Sequence, residues 1–302
     1  THALRAHSPR PTGGADPYPA HDTSGIDFVV SNGIMPNYTQ DFEGQSFPPD
    51  VKWNIVNTNA DCFKWSPASG MSSTGTFINN IAQMPCYGNS STTNEDLWTP
   101  VFLLPCNATA ATLKFDVAYR KRINTSNDRL IVQISTNCGA TWTEVYNKSG
   151  NVSPFLYQTA ATVGGEYFPS AAADWRTETI NLMTYVGTTS KNIRFRFRGV
   201  SAGGNNIFID NVKFEGTTPG EIQLASAGTE VLDGGYYAFA TTASGSSTTA
   251  TFTITNTGTT NLTLTNPITV TGTGFALGTG FGTTTVTPGS TTTYSVTVTA
   301  QP

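Results

Sequence analysis

The chain has 302 residues, of which 37% are hydrophobic and only 12% are charged, and its net charge is −4. That length and hydrophobic content suffice for two domains with at least one packed core. The scattered Lys and Arg residues form no basic stripe, which excludes a nucleic-acid partner, and no apolar run reaches the roughly 18–20 residues that span a bilayer. Abundant Gly, Thr, Ser and Asn favour short strands joined by tight turns, so we predict an all-β protein.

Residues 1–37 are rich in Pro, Gly and Ala and contain all three histidines, His2, His7 and His21. We interpret this part as a linker or leading segment. The chain starts without an initiator Met or an apolar signal core, so we expect a mature or excised chain. Hydrolytic triads and most zinc proteases need histidine, and neither H-E-x-x-H nor Gly-x-Ser-x-Gly occurs. We therefore predict that the chain is not an enzyme.

The first predicted domain covers residues 38–216. Residues 113–119, 130–134 and 193–198 alternate between apolar and polar side chains, which indicates half-buried antiparallel strands. In the last of these, Arg194, Arg196 and Arg198 share one face. We interpret that face as a solvated sheet surface, with a ligand site as the alternative.

Acidic and aromatic residues of this domain offer two further candidates for chemistry. A glycosidase needs two carboxylates, and no spacing singles out a pair among Glu95, Asp96, Glu144, Glu166, Asp174 and Glu178. Exposed tryptophans could stack on sugar rings, as in carbohydrate-binding jelly rolls. We expect Trp53, Trp142 and Trp175 to cover the core. Trp98 is the least constrained candidate for exposure.

The second predicted domain covers residues 221–302. From residue 216 onward there is no Lys, Arg, His or Cys, and Thr is the commonest residue. Residues 251–255, 262–264 and 294–298 alternate and are separated by Gly-containing turns, which is typical of an immunoglobulin-like β-sandwich. We count five or six strands, so we expect a sandwich that lacks its last strand or two.

The four cysteines lie within one 77-residue window and include no C-x-x-C pair, which favours two disulfides over a zinc site. Disulfides imply a secreted, extracellular or outer-surface location, whereas free thiols would fit a cytosolic protein. We predict the pairs Cys106–Cys138 and Cys62–Cys86. The first pair assumes that strands 113–119 and 130–134 are antiparallel neighbours.

Several motifs of the first domain together resemble one family. They are residues 41–44 (DFEG), 127–130 (NDRL), 135–142 (STNCGATW), 174–176 (DWR) and 207–212 (IFIDNV). In this order they resemble the MAM-like, cleaved-adhesin jelly-roll modules (choice-of-anchor J) of secreted Bacteroidetes proteins. Residues 252–258 and 286–289 resemble choice-of-anchor D or Hydin-type immunoglobulin-like modules. The resemblance implies a jelly roll followed by an immunoglobulin-like domain, and export by the type IX secretion system.

The resemblance also places Glu43 and Asp210 in motifs at the first and last strands of the jelly roll, which lie close together in such a sandwich. An acid at the edge of a core is costly unless a cation offsets its charge. Only oxygen donors are at hand, so we expect a stabilising Ca²⁺ ion, with Asp41, Asn59 or Asp61 completing its ligands. The alternative is that Glu43 and Asp210 cap turns.

Three functions agree with these features. The leading hypothesis is a non-catalytic structural or adhesive module of a larger secreted or cell-surface protein, contacting its other domains, a cell-surface protein or a glycan. The second is a carbohydrate-binding accessory domain of an extracellular enzyme. The third is a subunit of a surface filament, in which an incomplete sandwich accepts a strand from its neighbour.

Overall fold

The computed structural model describes side chains for residues 33–44, 46–58, 60–89, 93–232 and 235–300, and only the backbone for 2–7 and 23–28. Within these residues there are twenty strands, numbered here in chain order. They are β1 (His2–His7), β2 (Thr23–Phe28), β3 (Tyr38–Gln40), β4 (Asn54–Asn57), β5 (Ser66–Met71), β6 (Phe77–Met84), β7 (Asn94–Leu104), β8 (Ala110–Tyr119), β9 (Arg129–Ser135), β10 (Thr143–Ser149), β11 (Trp175–Asn181), β12 (Lys191–Val200), β13 (Ile207–Thr217), β14 (Ile222–Ser226), β15 (Thr229–Val231), β16 (Ser247–Asn256), β17 (Leu262–Thr263), β18 (Phe275–Leu277), β19 (Thr285–Val286) and β20 (Thr291–Thr299).

Two short 3-10 helices, Ala172–Asp174 and Met183–Tyr185, are the only helices in the described part of the chain. The all-β prediction is therefore confirmed. No helix among these residues is long and apolar enough to span a membrane.

The first domain is a sandwich of two antiparallel sheets. The front sheet has the order β10-β9-β12-β7-β4, and the back sheet has the order β11-β8-β13-β6-β5, with β3 also paired to β13. Large aromatic side chains from both sheets meet between them, for example Phe102, whose ring centroid lies 6.1 Å from that of Phe195 and 4.9 Å from that of Phe214. In β8, β9 and β12, the apolar residues of the predicted alternation are the ones whose side chains point into this core.

Residues upstream of the predicted domain boundary at Tyr38 already contact the first domain. Ile34 forms an isolated bridge to Phe102, with its backbone N–H 2.9 Å from the Val101 oxygen. Upstream, β1 and β2 pair antiparallel inside the segment that we interpreted as a linker. The alternation there is too short to predict strands, because residues 1–37 are rich in Pro and Gly.

The second unit contains seven strands in the described residues, more than the five or six expected. A five-stranded sheet has the order β15-β14-β16-β20-β18, and β17 pairs with β19. The additional strands are only two or three residues long, so they show no alternation that a sequence could reveal. The small core between the sheets contains Ile254, Leu264 and Val286. The immunoglobulin-like assignment stays a prediction.

The predicted disulfide pairs are not formed, because Cys62, Cys86, Cys106 and Cys138 are all free thiols. The reason for the first pair is clear, since β8 belongs to the back sheet and β9 to the front sheet. The antiparallel pairing on which we based Cys106–Cys138 was therefore wrong. In the second pair, Cys62 is exposed whereas Cys86 is fully buried, and burial raises the pKa of the Cys86 thiol.

Candidate functional site

The two sheets differ in what lies on their outer surfaces. Part of the outer surface of the back sheet is covered by the segment that contains Tyr167 and Phe168, whose ring centroids lie 6.0 and 5.7 Å from that of Phe208. Trp175 belongs to the same buried cluster. The candidate site is therefore on the other side of the sandwich, on the outer surface of the front sheet, which we call the front face.

Strand register aligns the side chains of the front face in three rows across the sheet. Along each strand the core residues alternate with the outer ones, so every second residue belongs to the face. The first row is Asn54, Trp98, Arg196, Gln133 and Glu144, the second is Val56, Asp96, Arg198, Ile131 and Asn147, and the third is Asn94, Val200, Arg129 and Ser149. Neighbouring rows are about 7 Å apart, at roughly 3.3 Å per residue.

Pro100 explains an irregularity in this pattern. It lies in β7, a central strand, where a residue without an N–H group breaks the ladder. The pairing with β12 accordingly shifts between Arg194 and Arg196, which is a β-bulge. The bulge frees the Thr99 carbonyl, which accepts a hydrogen bond from Arg194 Nε at 2.6 Å. Arg194 is thereby held beside Trp98.

Two tryptophans and two arginines form one continuous stack on the face. The Arg194 guanidinium lies 5.1 Å from the Trp98 ring centroid, and the Trp98 and Trp142 centroids are 4.9 Å apart. The Arg196 guanidinium lies 4.6 Å from the Trp142 centroid. All four side chains are half-buried. Cation–π contacts of this kind fix aromatic rings at a surface without burying them completely.

Asp96, which lies on the same face, forms hydrogen bonds with Arg196 and Arg198. Its carboxylate, only 2% exposed, accepts bonds from Arg198 Nε at 2.7 Å and Arg196 Nη1 at 3.0 Å. The hydrogen bond to Asp96 raises the pKa of Arg198. Arg196 Nε also donates to Gln133 Oε1 at 2.6 Å. The guanidinium planes are therefore fixed before any ligand arrives, which lowers the entropic cost of binding.

The arrangement corrects two interpretations of the sequence. Trp142 belongs to the front face and not to the core, although Trp53 and Trp175 are buried as expected. The arginine row is not freely solvated, because its members are half-buried and bonded to Asp96 or stacked on tryptophan. Alternation alone could have placed Asp96 and Trp98 on one face of β7. It could not have shown that β7 and β12 are neighbours.

The acidic residues considered for catalysis are used elsewhere. Glu95 and Asp96 are consecutive on β7 and point to opposite faces of the sheet. Glu178 is bonded to Lys148 at 2.7 Å and to Arg176 at 2.6 Å. Asp174 accepts the Ser170 and Ala171 N–H groups, and Glu166 accepts Asn206 Nδ2. Glu144 accepts Asn147 Nδ2 at 3.2 Å, so each of the six acids bonds to neighbouring groups within the described residues.

Asp210 is the central residue of the predicted calcium site. It is 1% exposed and lies at a bulge of β13, followed by Asn211 in the left-handed conformation. Burial, then the nearby negative charges of Asp116, Glu43 and Asp41, raise the pKa of Asp210 to about 7. The pairing of β3 with β13 brings these acids together. Asp41 and Glu43 are thus close enough for their charges to act on Asp210, and the calcium site itself stays a prediction.

The remaining predicted ligands are not part of this group. Asp61 lies near Glu95, whose pKa is raised to about 7 by burial and, to a lesser extent, by the charge of Asp61. Asn59 lies outside the described residues. In the part of the chain that the structure describes, no three His, Cys, Asp or Glu side chains converge closely enough to hold a metal ion.

Comparison with known proteins finds likeness in structure alone. No protein-family model and no curated protein matches the chain. The K1 cleaved adhesin domain of Lys-gingipain from Porphyromonas gingivalis W83 aligns at 18% identity and a TM-score of 0.40, covering 59% of this chain and 97% of that one. The module CBM27-1 of Caldicellulosiruptor saccharolyticus, solved with mannohexaose, aligns at 14% identity and a TM-score of 0.37, covering 59% and 97%. The family 11 carbohydrate-binding module of Clostridium thermocellum aligns at 15% identity and a TM-score of 0.31, covering 59% and 93%.

At such identities and TM-scores the alignments carry no argument about this chain. Its sandwich is described from its own strand pairing, and its ligand has to be argued from its own residues.

Proposed function

We propose that this chain is a non-catalytic adhesive module of a secreted or cell-surface protein, and that its front face binds a glycan. The observation that carries this proposal is the stack of Arg194, Trp98, Trp142 and Arg196 on the front face. Fixed aromatic rings suit the apolar faces of sugars, and the surrounding amide and guanidinium groups suit their hydroxyls. The adhesive and carbohydrate-binding hypotheses from the sequence thus lead to the same surface.

An unsatisfied polar atom supports the same proposal. Trp98 Nε1 is buried and has no hydrogen-bond partner among the described residues. A buried donor without a partner is costly, and it is most readily explained by a partner that arrives with a ligand or with water.

The non-catalytic part of the proposal is supported by the uses of the acids. Asp96 pairs with Arg196 and Arg198, and Glu178 bonds to Lys148 and Arg176. Acid catalysis needs a carboxyl group that can exchange a proton next to the substrate. These two carboxylates are bonded to neighbouring cationic side chains instead.

Binding to a panel of soluble polysaccharides tests the proposal. We expect the whole chain to be retarded in native gels that contain at least one of the polysaccharides, and to release no reducing sugar from it. Bovine serum albumin run in the same gels controls for non-specific retardation. Retardation by none of the polysaccharides would contradict glycan binding, and release of reducing ends would contradict a non-catalytic role.

We also propose that Asp210, with Glu43 and Asp41, holds a stabilising Ca²⁺ ion. The donors fit this ion in chemistry, because all are carboxylates and Asp210 is buried without a cationic partner among the described residues. Asp116 is already satisfied by Ser73 Oγ, Thr177 Oγ1 and Asn211 Nδ2, so it is not counted as a ligand. Main-chain oxygens would complete the coordination.

Removing calcium is expected to lower the melting temperature of the first domain. Each kcal/mol of lost stability lowers the melting temperature by about 2–4 °C in a domain of this size. Because the pKa of Asp210 is raised from 3.8 to about 7, the folded state without calcium holds a proton that the unfolded state has lost at pH values between these two. The stability from that proton is present below the unfolded pKa and disappears as the pH rises through 7.

The calcium effect should therefore be larger at pH 8 than at pH 6, since the ion needs the ionised carboxylate. The measurement is a thermal melt with excess calcium or EDTA at both pH values, with Asp210→Asn as the matched variant. The variant should lose the calcium response. Coincident melts of the parent chain with calcium and with EDTA at pH 8 would show that there is no site.

A further inference from the structure

The third row of the front face ends in a cleft of about 370 Å³. The cleft lies where β9 begins and β10 ends, beside the loop of residues 150–155. Its lining consists of Asn127, Arg129, Asn147, Ser149, Val152, Ser153 and Pro154. Most of these side chains are polar, and Val152, at 61% exposure, offers an apolar edge. The cleft is thus a continuation of the surface proposed to bind a glycan.

Hydrogen bonds hold the walls of the cleft in place. Ser149 Oγ donates to the Val152 carbonyl at 2.8 Å and accepts the Val152 N–H at 2.9 Å. The backbone of Ser149 donates to Pro154 at 3.2 Å and accepts from Leu156 at 2.7 Å. The Gly150 N–H is bonded to the Asp128 carbonyl. The loop is therefore fixed before binding, and a ligand would not have to order it.

Arg129 differs from the other arginines of the front face in its lack of a bonding partner among the described residues. Arg194, Arg196 and Arg198 all donate hydrogen bonds, whereas Arg129 forms neither an ion pair nor a side-chain hydrogen bond to any described residue. Asn127, which also lines the cleft, has a buried Oδ1 without a hydrogen-bond partner among the described residues. Of the two acids on the rows, Asp96 is bonded to Arg196 and Arg198, and Glu144 accepts Asn147 Nδ2 at 3.2 Å; neither lines the cleft.

The charge of the front face as a whole also favours an anionic ligand. Four arginines stand on it against Asp96 and Glu144, so the face is positive on a chain whose net charge is −4. Arg129 lies four residues from Gln133 along β9, which is about 13 Å at roughly 3.3 Å per residue. Gln133 bonds to Arg196 of the stack. A ligand that reaches both the stack and the cleft is therefore longer than one sugar ring.

We infer that the cleft binds the anionic group of an acidic polysaccharide, a carboxylate or a sulfate ester, through the Arg129 guanidinium. This inference rests on the proposed glycan binding and adds its charge class. A guanidinium fork matches both oxyanions with two parallel N–H bonds. Neighbouring sugars of the same chain would extend along the rows to Trp142.

Affinity electrophoresis with matched polymers tests the inference. Polygalacturonate and its methyl ester share one backbone and differ in charge, and dextran sulfate and dextran form the corresponding pair for sulfate. The variants are Arg129→Ala, Arg129→Lys and, as a control, Lys213→Ala, a cation on β13 of the back sheet. Melting curves check that each variant is folded.

We expect the parent chain to prefer one charged polymer over its neutral partner. Arg129→Ala should weaken that binding at least tenfold and reduce its salt dependence, Arg129→Lys should lie between, and Lys213→Ala should match the parent. Equal affinity for charged and neutral polymers, or an Arg129→Ala variant that binds like the parent, would overturn the inference. Binding of neutral polymers alone would still leave the proposed function standing, whereas binding of no polymer would remove both.

Discussion

Asp128→Ala is expected to lower the free energy of unfolding of the first domain by about 4 kcal/mol, which is a drop of about 10 °C in its melting temperature. Asp128 is completely buried and accepts the Tyr119 hydroxyl at 2.9 Å. It also accepts the backbone N–H groups of Ala202, Gly204 and Asn205 at 2.7, 3.1 and 2.7 Å. Alanine would leave all of these donors buried without an acceptor.

The site cannot relax around the deletion, because the loop that carries the donors is packed against the carboxylate. A Cβ atom added to Gly204 would collide with Asp128 Oδ2, so only glycine allows this approach. Asp128→Asn keeps the shape but places an N–H₂ group among donors, and we expect roughly half of the loss. Chemical denaturation of the parent and both variants measures these differences.

Glu215→Ala provides the control for removing a carboxylate. Glu215 pairs with Lys114 at 2.7 Å, and both side chains are more than a third exposed. Its loss should cost less than about 1 kcal/mol. If Asp128→Ala were no more destabilising than Glu215→Ala, the buried network around Asp128 would not be a structural anchor of the domain.

Local pattern predicted the strands but not their partners. The alternation in β8, β9 and β12 predicted the core positions, because side chains on successive strand residues point to opposite faces. The same pattern is compatible with many sheet orders. We therefore paired the strands now called β8 and β9, which lie in different sheets, and the predicted Cys106–Cys138 bridge depended on that error.

The candidate face could be predicted only in part for the same reason. The arginine row and the exposed character of Trp98 follow from sequence, whereas the place of Trp142 depends on how the loop after β9 folds back over the sheet. Gly139, with a positive φ of 94°, permits that fold, and a Cβ there would lie 3.1 Å from the Trp98 ring. Sequence alone could not show that Asp96 bonds to Arg196 and Arg198, because these bonds depend on β7 and β12 being neighbours in the sheet.

The most direct test of glycan binding by the front face is the affinity of Trp142→Ala for the polysaccharide that binds the parent chain best. Trp142 is half-buried between Trp98 and Arg196, so its loss removes a stacking surface and frees the guanidinium that it orients. Aromatic side chains at the centre of a binding surface typically contribute at least 2 kcal/mol. Isothermal titration calorimetry gives the affinity, and a melting curve confirms folding.

Phe77→Ala is the matched control, because Phe77 is 65% exposed on β6 of the back sheet. We predict that Trp142→Ala weakens binding at least tenfold, that Trp142→Phe retains part of the affinity, and that Phe77→Ala binds like the parent. A folded Trp142→Ala variant with the affinity of the parent would contradict the assignment of the front face as the binding surface.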